Sequence, residues 1–242
     1  MSKLTKTVIV LGFLGIMLSS CSSAVNNTPA NKAQNQPTEE PLTADLVASD
    51  ILLIEDDGIS VTGVLQKDTQ IIVPITVHID DKSKTYQWQN VANPEYYPIL
   101  IVDDLNKDQQ DEIYLFLTKG YGTGVIDTQI HILRRDFSEI TAPNPFVDLK
   151  DKLHSTVEEI DSEQHYTLRL QDKTYSYTFK LDEAAMWFEE VVVGKTTTYR
   201  IENGKLIVSL SLQVAPTITI GTLDMSYSLL EKQFKLAQIK LV

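Results

Sequence analysis

The sequence predicts a mainly β protein: a single domain built as an antiparallel meander or sandwich, or as a partial barrel, with one or two short helices. Apolar residues alternate with polar ones along most of residues 43–242, which is the period of half-buried strands. Turns that contain Asp, Asn and Gly separate these runs. A length of about 200 residues also suits one all-β domain.

The chain before this domain begins with a segment typical of export signals. Lys3 and Lys6 precede an apolar run at residues 8–17, which is too short to span a bilayer comfortably as a permanent helix. We therefore interpret residues 1–20 as a signal peptide. The run ends in Leu18-Ser19-Ser20-Cys21, which resembles the lipobox of bacterial lipoproteins. The resemblance implies cleavage before Cys21, lipid such as palmitate on that cysteine, and an anchor on the extracytoplasmic face of the cell membrane.

Cys21 is the only cysteine in the chain, so intramolecular disulfides and cysteine redox pairs are excluded. One acyl chain holds a protein only marginally, and two chains on Cys21 would make the anchoring stable. The polar residues 22–41 contain no aromatic side chain. Residues 21–42 are therefore expected to form the lipidated cysteine and a disordered tether, with a reach on the order of 25 Å.

The net charge bears on the choice of partners. The formal charge is −12, and loss of Lys3 and Lys6 with the signal peptide takes it to −14, because no acidic residue precedes Cys21. Nucleic acid repels an acidic domain and is not an expected partner. The expected partners are the membrane, through the lipid on Cys21, and a cell-wall polymer or another envelope protein.

The first strands are predicted in order from apolar and β-branched runs between turn residues. They are residues 51–54, 60–65, 70–79, 85–89, 99–102, 113–117 and 128–133. The later predicted strands are residues 166–170, 175–180, 206–214, 217–220, 223–230 and 234–241. Asn203-Gly204 suits a tight hairpin turn before the strand at residues 206–214. The last third of the chain is therefore expected to be an antiparallel meander.

Helix is predicted only for short pieces, at residues 43–49 and 147–154. Residues 183–190 are ambiguous, because Ala184 and Ala185 favour a helix whereas Trp187 and the following aromatic and valine residues favour a strand. We expect a strand from Trp187 onward. No period of 20–50 residues repeats along the domain, which argues against a multi-bladed propeller.

An acidic loop between two apolar strands is the most informative segment for chemistry. Its candidate metal ligands carry oxygens at alternate positions: Asp104, Asn106, Asp108, the carbonyl of Gln110, and Glu112. Calcium takes six to eight oxygens at roughly 2.3–2.6 Å, so this spacing suits a hard cation. The loop is therefore expected to bind calcium, and an acidic β-turn without a metal is the alternative.

The layout around this loop also resembles a known repeat. Over residues 97–133 an apolar strand, the acidic loop, a second apolar strand and a glycine-rich turn follow one another as in FG-GAP or VCBS-type repeats. The resemblance implies a calcium loop on a β-hairpin. Gln109 stands at the sixth loop position, where the turn favours a positive φ that costs a non-glycine residue roughly 1–2 kcal/mol.

A glycine-flanked loop follows the second strand and is the candidate ligand-contact loop. Its residues are Gly120, Tyr121, Gly122, Thr123 and Gly124. A strand-favouring sequence follows it, so a phosphate-binding loop is not expected, and a hairpin without a ligand is the alternative. We expect a metal in the acidic loop to fix the turn beside this contact loop.

Short catalytic motifs are missing from the sequence, which contains neither HExxH nor GxSxG. The histidines are widely spaced and are expected to be strand or surface residues: His78, His131, His154 and His165. Tyr86, Trp88, Tyr96 and Tyr97 stand among amides and could stack on sugars, although core packing at a strand end is favoured. We therefore expect a binding or interaction module. The alternative is an envelope hydrolase of wall glycan or peptide, whose carboxylates only the fold would bring together.

Overall fold

Antiparallel strands form four sheets, each built from strands that are close together along the chain. The structure is a computed structural model that describes residues 50–122 and 125–242. The predicted signal peptide, Cys21, the tether and the predicted helix at residues 43–49 lie outside the described residues, as do Thr123 and Gly124. All described residues belong to one compact unit. The prediction of a mainly β, antiparallel domain is confirmed.

The first two sheets contain the strands that precede residue 141. Sheet 1 has the order β1-β2-β3-β4, with β5 also paired to β3. Its strands are β1 (Asp50–Asp56), β2 (Ile59–Gln66), β3 (Ile71–Ile79), β4 (Lys82–Tyr86) and β5 (Asn90–Val91), and a 3₁₀ turn (Pro94–Tyr96) follows. Sheet 2 contains β6 (Ile99–Asp103), β7 (Glu112–Gly122), β8 (Val125–Arg134) and β9 (Glu139–Ile140) in that order.

The last two sheets follow a short helix, α1 (Pro145–Leu149). Sheet 3 contains β10 (Leu153–Ile160), β11 (Glu163–Leu170) and β12 (Lys173–Lys180), and a 3₁₀ turn (Leu181–Glu183) follows. Sheet 4 contains β13 (Val192–Glu202), β14 (Lys205–Ala215), β15 (Ile218–Leu230) and β16 (Gln233–Leu241). This C-terminal meander was predicted, and Asn203 and Gly204 form its first turn with φ values of +52° and +66°.

β7 of sheet 2 is buried on both faces over residues 112–118, which fits its apolar run without polar alternation. Ile113 and Leu115 belong to one apolar cluster with the side chains of sheet 1. Tyr114 and Phe116, which point the opposite way along the pleat, belong to a second cluster with sheets 3 and 4. Burying each such side chain stabilises the fold by roughly 1.5–3 kcal/mol. β7 is therefore the strand through which the two clusters meet.

The predicted helix at residues 147–154 is wrong in its bounds. Helix α1 begins earlier because Pro145 occupies the first turn and Asn144 Oδ1 accepts the N–H groups of Phe146 at 3.2 Å and Val147 at 3.3 Å. It ends at Leu149, and His154 lies in β10, where it pairs with Arg169 of β11.

The strand expected from Trp187 onward is also wrong, since β13 begins only at Val192. Two N–H groups of this segment donate hydrogen bonds to carbonyls of a turn and of a strand elsewhere in the chain, and not within a strand pair of its own. Trp187 Nε1 donates to the Leu181 carbonyl at 3.1 Å, and Phe188 N donates to the Val214 carbonyl at 2.9 Å. None of the helices in the described part of the chain is long and apolar enough to cross a membrane.

Candidate functional site

The acidic loop lies between β6 and β7 and is folded by its own side chains. Asp104 accepts the N–H of Asp108 at 3.1 Å and the N–H of Gln109 at 2.8 Å. Asn106 Oδ1 accepts the N–H of Asp108 at 2.8 Å, and Asp108 Oδ1 accepts the N–H of Gln110 at 2.9 Å. Such bonds from Asp and Asn to nearby backbone groups form turns without any other partner. The predicted ligands therefore do lie together, in one closed turn.

Glu112, the last predicted ligand, is the first residue of β7 and is fully buried. Its Oε2 accepts the N–H of Leu105 at 3.2 Å and the hydroxyl of Tyr114 at 3.4 Å. Burial raises the pKa of Glu112 above its ordinary value, and the hydrogen bond from Leu105 opposes that shift.

Arg134 and Glu231, which the sequence did not single out, complete this cluster. The Nη2 of Arg134 lies 3.5 Å from Asp108 Oδ2 and 3.7 Å from Glu112 Oε1. It also donates to the carbonyl of Glu231, in the turn between β15 and β16, at 3.3 Å. Arg134 is the strand partner of Glu112 in the β7–β8 hairpin, so a correct register would have found it. Nothing local in the sequence marks Glu231.

The donor set of the loop differs from the one that the calcium prediction assumes. Asn106 presents its N–H₂ group, and not its oxygen, to Asp108 Oδ2 at 3.0 Å and to Glu112 Oε1 at 3.1 Å. Within residues 50–122 and 125–242, no group of three or more His, Cys, Asp or Glu side chains is arranged to hold a metal ion. Calcium binding by this loop stays a prediction.

The expectation that this loop fixes the turn beside the contact loop is wrong. The acidic loop precedes Glu112 at one end of β7, and Gly120, Tyr121 and Gly122 are its last residues at the other end. At roughly 3.3 Å per residue, these ends lie on the order of 30 Å apart. β7 belongs to two hairpins, β6–β7 and β7–β8, whose turns lie at opposite ends of the strand. The two loops are therefore not neighbours.

The contact loop instead meets the 3₁₀ turn that follows sheet 1. The rings of Tyr96 and Tyr121 stack with their centroids 4.2 Å apart, and Asn93 Nδ2 donates to the Tyr121 hydroxyl at 3.2 Å. Tyr121 remains 47% exposed. Thus one predicted contact residue and one residue of the predicted aromatic stretch form a single surface feature.

Asn90 holds this surface feature in place from below. It is fully buried, and its Oδ1 accepts the N–H of Thr118 in β7 at 2.7 Å. Its Nδ2 donates to the carbonyls of Val91 at 2.8 Å and Tyr96 at 2.9 Å. One side chain therefore ties the 3₁₀ turn to the strand that carries Tyr121.

Each of the two stacked tyrosines lines a cleft. Tyr121 lines a cleft of about 570 Å³ together with the polar side chains of Gln70, Asn93 and Lys119. Tyr96 lines a second cleft of about 320 Å³, whose wall is largely apolar and includes Ile99 and Tyr199. We call the group Asn93, Tyr96, Ile99, Lys119 and Tyr121 the aromatic face.

The remaining aromatic residues of the predicted stretch pack inward. Tyr86 stacks on Trp88 with centroids 3.7 Å apart, and Trp88 stacks on His131 at the same distance. Burial lowers the pKa of His131 to about 4. This histidine is therefore a neutral packing residue near neutral pH.

The other candidate catalytic groups are dispersed. The four histidines lie on four different strands, β3, β8, β10 and β11. Glu158 and Glu159 are exposed neighbours on β10 and point to opposite faces. Glu190 lines a cleft beside α1 whose other lining residues include no second carboxylate.

Comparison of the chain with protein-family models, with curated protein sequences and with solved structures found no match.

Proposed function

We propose that the chain is a lipid-anchored lipoprotein of the bacterial envelope whose β domain is a binding module, with the aromatic face as its contact surface. The observation that carries the proposal is the stacked Tyr96–Tyr121 pair, in which Tyr121 is 47% exposed and each tyrosine lines a cleft. Tyrosine supplies a large, rigid contact area with a polar tip and is frequent at binding hot spots.

The chemistry of the two clefts supports a partner with both polar and apolar surface. Asn93, Gln70 and Lys119 offer hydrogen-bond donors on one side, and Ile99 offers apolar area on the other, with 59% of its surface exposed. A cell-wall polymer and another envelope protein both have such surfaces. The tether behind Cys21 would let the face meet either partner close to the membrane.

The binding test uses the full chain in detergent and cell walls isolated from the bacterium that makes it. We expect wild-type protein to sediment with the walls and Tyr121→Ala to bind about tenfold more weakly, since loss of a tyrosine hot spot costs about 1.4 kcal/mol or more. Phe146→Ala is the matched control, because Phe146 is an aromatic residue of α1 that is 43% exposed. Protease treatment of the walls then separates a polymer from a protein partner. Equal binding by both variants would refute the proposed contact surface.

The anchor is tested separately with Cys21→Ala. Wild-type protein should take up labelled palmitate and partition into the detergent phase, because two acyl chains hold it in a membrane. The variant should take up no label and remain in the aqueous phase. Labelling of the variant would contradict lipid on Cys21.

A further inference from the structure

We infer that Arg134 takes the place of a divalent cation in the acidic loop, so that the loop closes on an internal guanidinium and not on calcium. This inference concerns the end of β7 opposite the aromatic face and does not depend on the proposed function. It accounts for a loop that has calcium-like spacing without a calcium-like donor set.

Three oxygens converge at this point: Asp108 Oδ2 and Glu112 Oε1 from the acidic loop, and the carbonyl of Glu231 from the turn between β15 and β16. Asn106 Nδ2 lies 3.0, 3.1 and 3.2 Å from them, respectively. Arg134 Nη2 lies 3.5, 3.7 and 3.3 Å from the same three oxygens. Two nitrogen donors therefore occupy the side of these oxygens that a cation would use.

A calcium ion at this point would compete with Asn106 Nδ2 and Arg134 Nη2 for the same three oxygens. Calcium would need these oxygens at roughly 2.3–2.6 Å, so the Asn106 amide would have to turn away. The guanidinium of Arg134 would also repel the ion at short range, because it contacts the same oxygens. Arg134 is held in this position, since its side chain is only 17% exposed.

The charge balance explains why some cation is needed here. Glu112 is fully buried, and Asp104 and Asp108 lie in the same turn. A buried carboxylate without a positive partner is strongly destabilising. Arg134 supplies one positive charge, and Lys232 lines the same cleft as Asn106, Asp108 and Arg134. These side chains provide within the protein what a bound ion provides in a calcium loop.

The test compares thermal unfolding of the full chain in detergent, with excess EDTA or with roughly millimolar calcium. Wild-type protein should have the same melting temperature in both. Arg134→Gln should melt roughly 5–10 °C lower in EDTA, because the buried carboxylate loses its partner, and calcium should restore much of that loss. Arg135→Gln is the matched control, because the neighbouring Arg135 pairs with the exposed Asp57 at 2.6 Å. It should melt within about 2 °C of wild type in either solution.

Each result decides the inference. A wild-type melting temperature that rises with calcium would overturn it and support the calcium loop that the sequence predicts. Arg134→Gln that is no less stable than Arg135→Gln, or that is destabilised and not restored by calcium, would also overturn it. Folding of Arg134→Gln only when calcium is present would support the inference. Failure of this variant to fold in either solution would overturn it.

Discussion

Two non-glycine residues with left-handed backbone shape the acidic loop. Lys107 has a φ of +61° and Gln109 a φ of +68°. The positive φ at the sixth loop position, which the sequence suggested from the resemblance to calcium loops, is confirmed at Gln109. The local energy of the loop therefore includes a backbone cost that its side-chain hydrogen bonds offset.

Replacing Gln109 with glycine should remove that cost. We expect Gln109→Gly to raise the free energy of unfolding by about 1 kcal/mol, because glycine adopts a left-handed φ freely and the Gln109 side chain is exposed. Gln110→Gly, at a position without a positive φ, should give no gain. Chemical denaturation measures both. A gain in both variants, or in neither, would show that the backbone at Gln109 is not strained.

His131 gives the domain a specific dependence on pH. Because burial lowers its folded pKa to about 4 from 6.5, the unfolded chain takes up a proton that the folded chain does not as the pH falls through that window. Stability should therefore be full above pH 6.5 and decrease by up to roughly 3 kcal/mol as the pH falls to about 4.

The variant His131→Phe isolates this effect, because it keeps a ring against Trp88 but cannot titrate. Its unfolding free energy, followed by denaturation at several pH values, should fall less than that of wild type between pH 6.5 and 4. Parallel curves for the two proteins would show that His131 does not carry the dependence.

At the scale of secondary-structure elements, the sequence predicted strands well where alternation is local. The strict pattern at Leu206, Val208 and Leu210 matches β14, in which all three side chains are fully buried. The strand prediction was wrong where contacts with distant parts of the chain determine the local structure. The residues around Trp187 have strand propensity, but Tyr166 donates its hydroxyl to the Phe188 carbonyl at 2.6 Å and helps hold the segment as a loop.

The candidate site was predictable in part for the same reason. The acidic loop and the contact loop are each continuous in sequence, and residue types alone marked them. The roles of Arg134 and of Asn90, which the sequence marked only as an amide among aromatic residues, were not predicted. Each acts through a partner that is distant along the chain, Asn90 through Thr118 and Arg134 through Glu231. Only strand register and sheet packing bring such pairs together.

Asn90 connects the 3₁₀ turn to β7 through the hydrogen bonds of its buried side chain. Asn90→Ala would leave the buried N–H of Thr118 without an acceptor, which costs about 1–3 kcal/mol of unfolding free energy. Hydrogen exchange at the Thr118 amide should accelerate as well. Gln238→Ala, which removes an exposed amide from β16, should change neither quantity. Unchanged exchange at Thr118 in Asn90→Ala would show that the bond is unimportant.

At the scale of the whole domain, β7 connects the acidic loop to the aromatic face. Its first residue, Glu112, belongs to the acidic loop, and its last residues carry Tyr121 of the aromatic face. Sheets pack on both faces of this strand. The loop therefore stabilises one end of the domain, while the opposite end presents the surface proposed to meet a partner.

Photo-crosslinking in living cells tests whether the aromatic face binds a partner. A photoreactive amino acid is placed at position 121 of the full-length protein, and at position 146 as the control, in cells of the organism that makes the protein. We expect a crosslinked polymer or protein at position 121 and none at position 146. Equal crosslinking at the two positions, or crosslinking at position 146 alone, would contradict binding at the aromatic face.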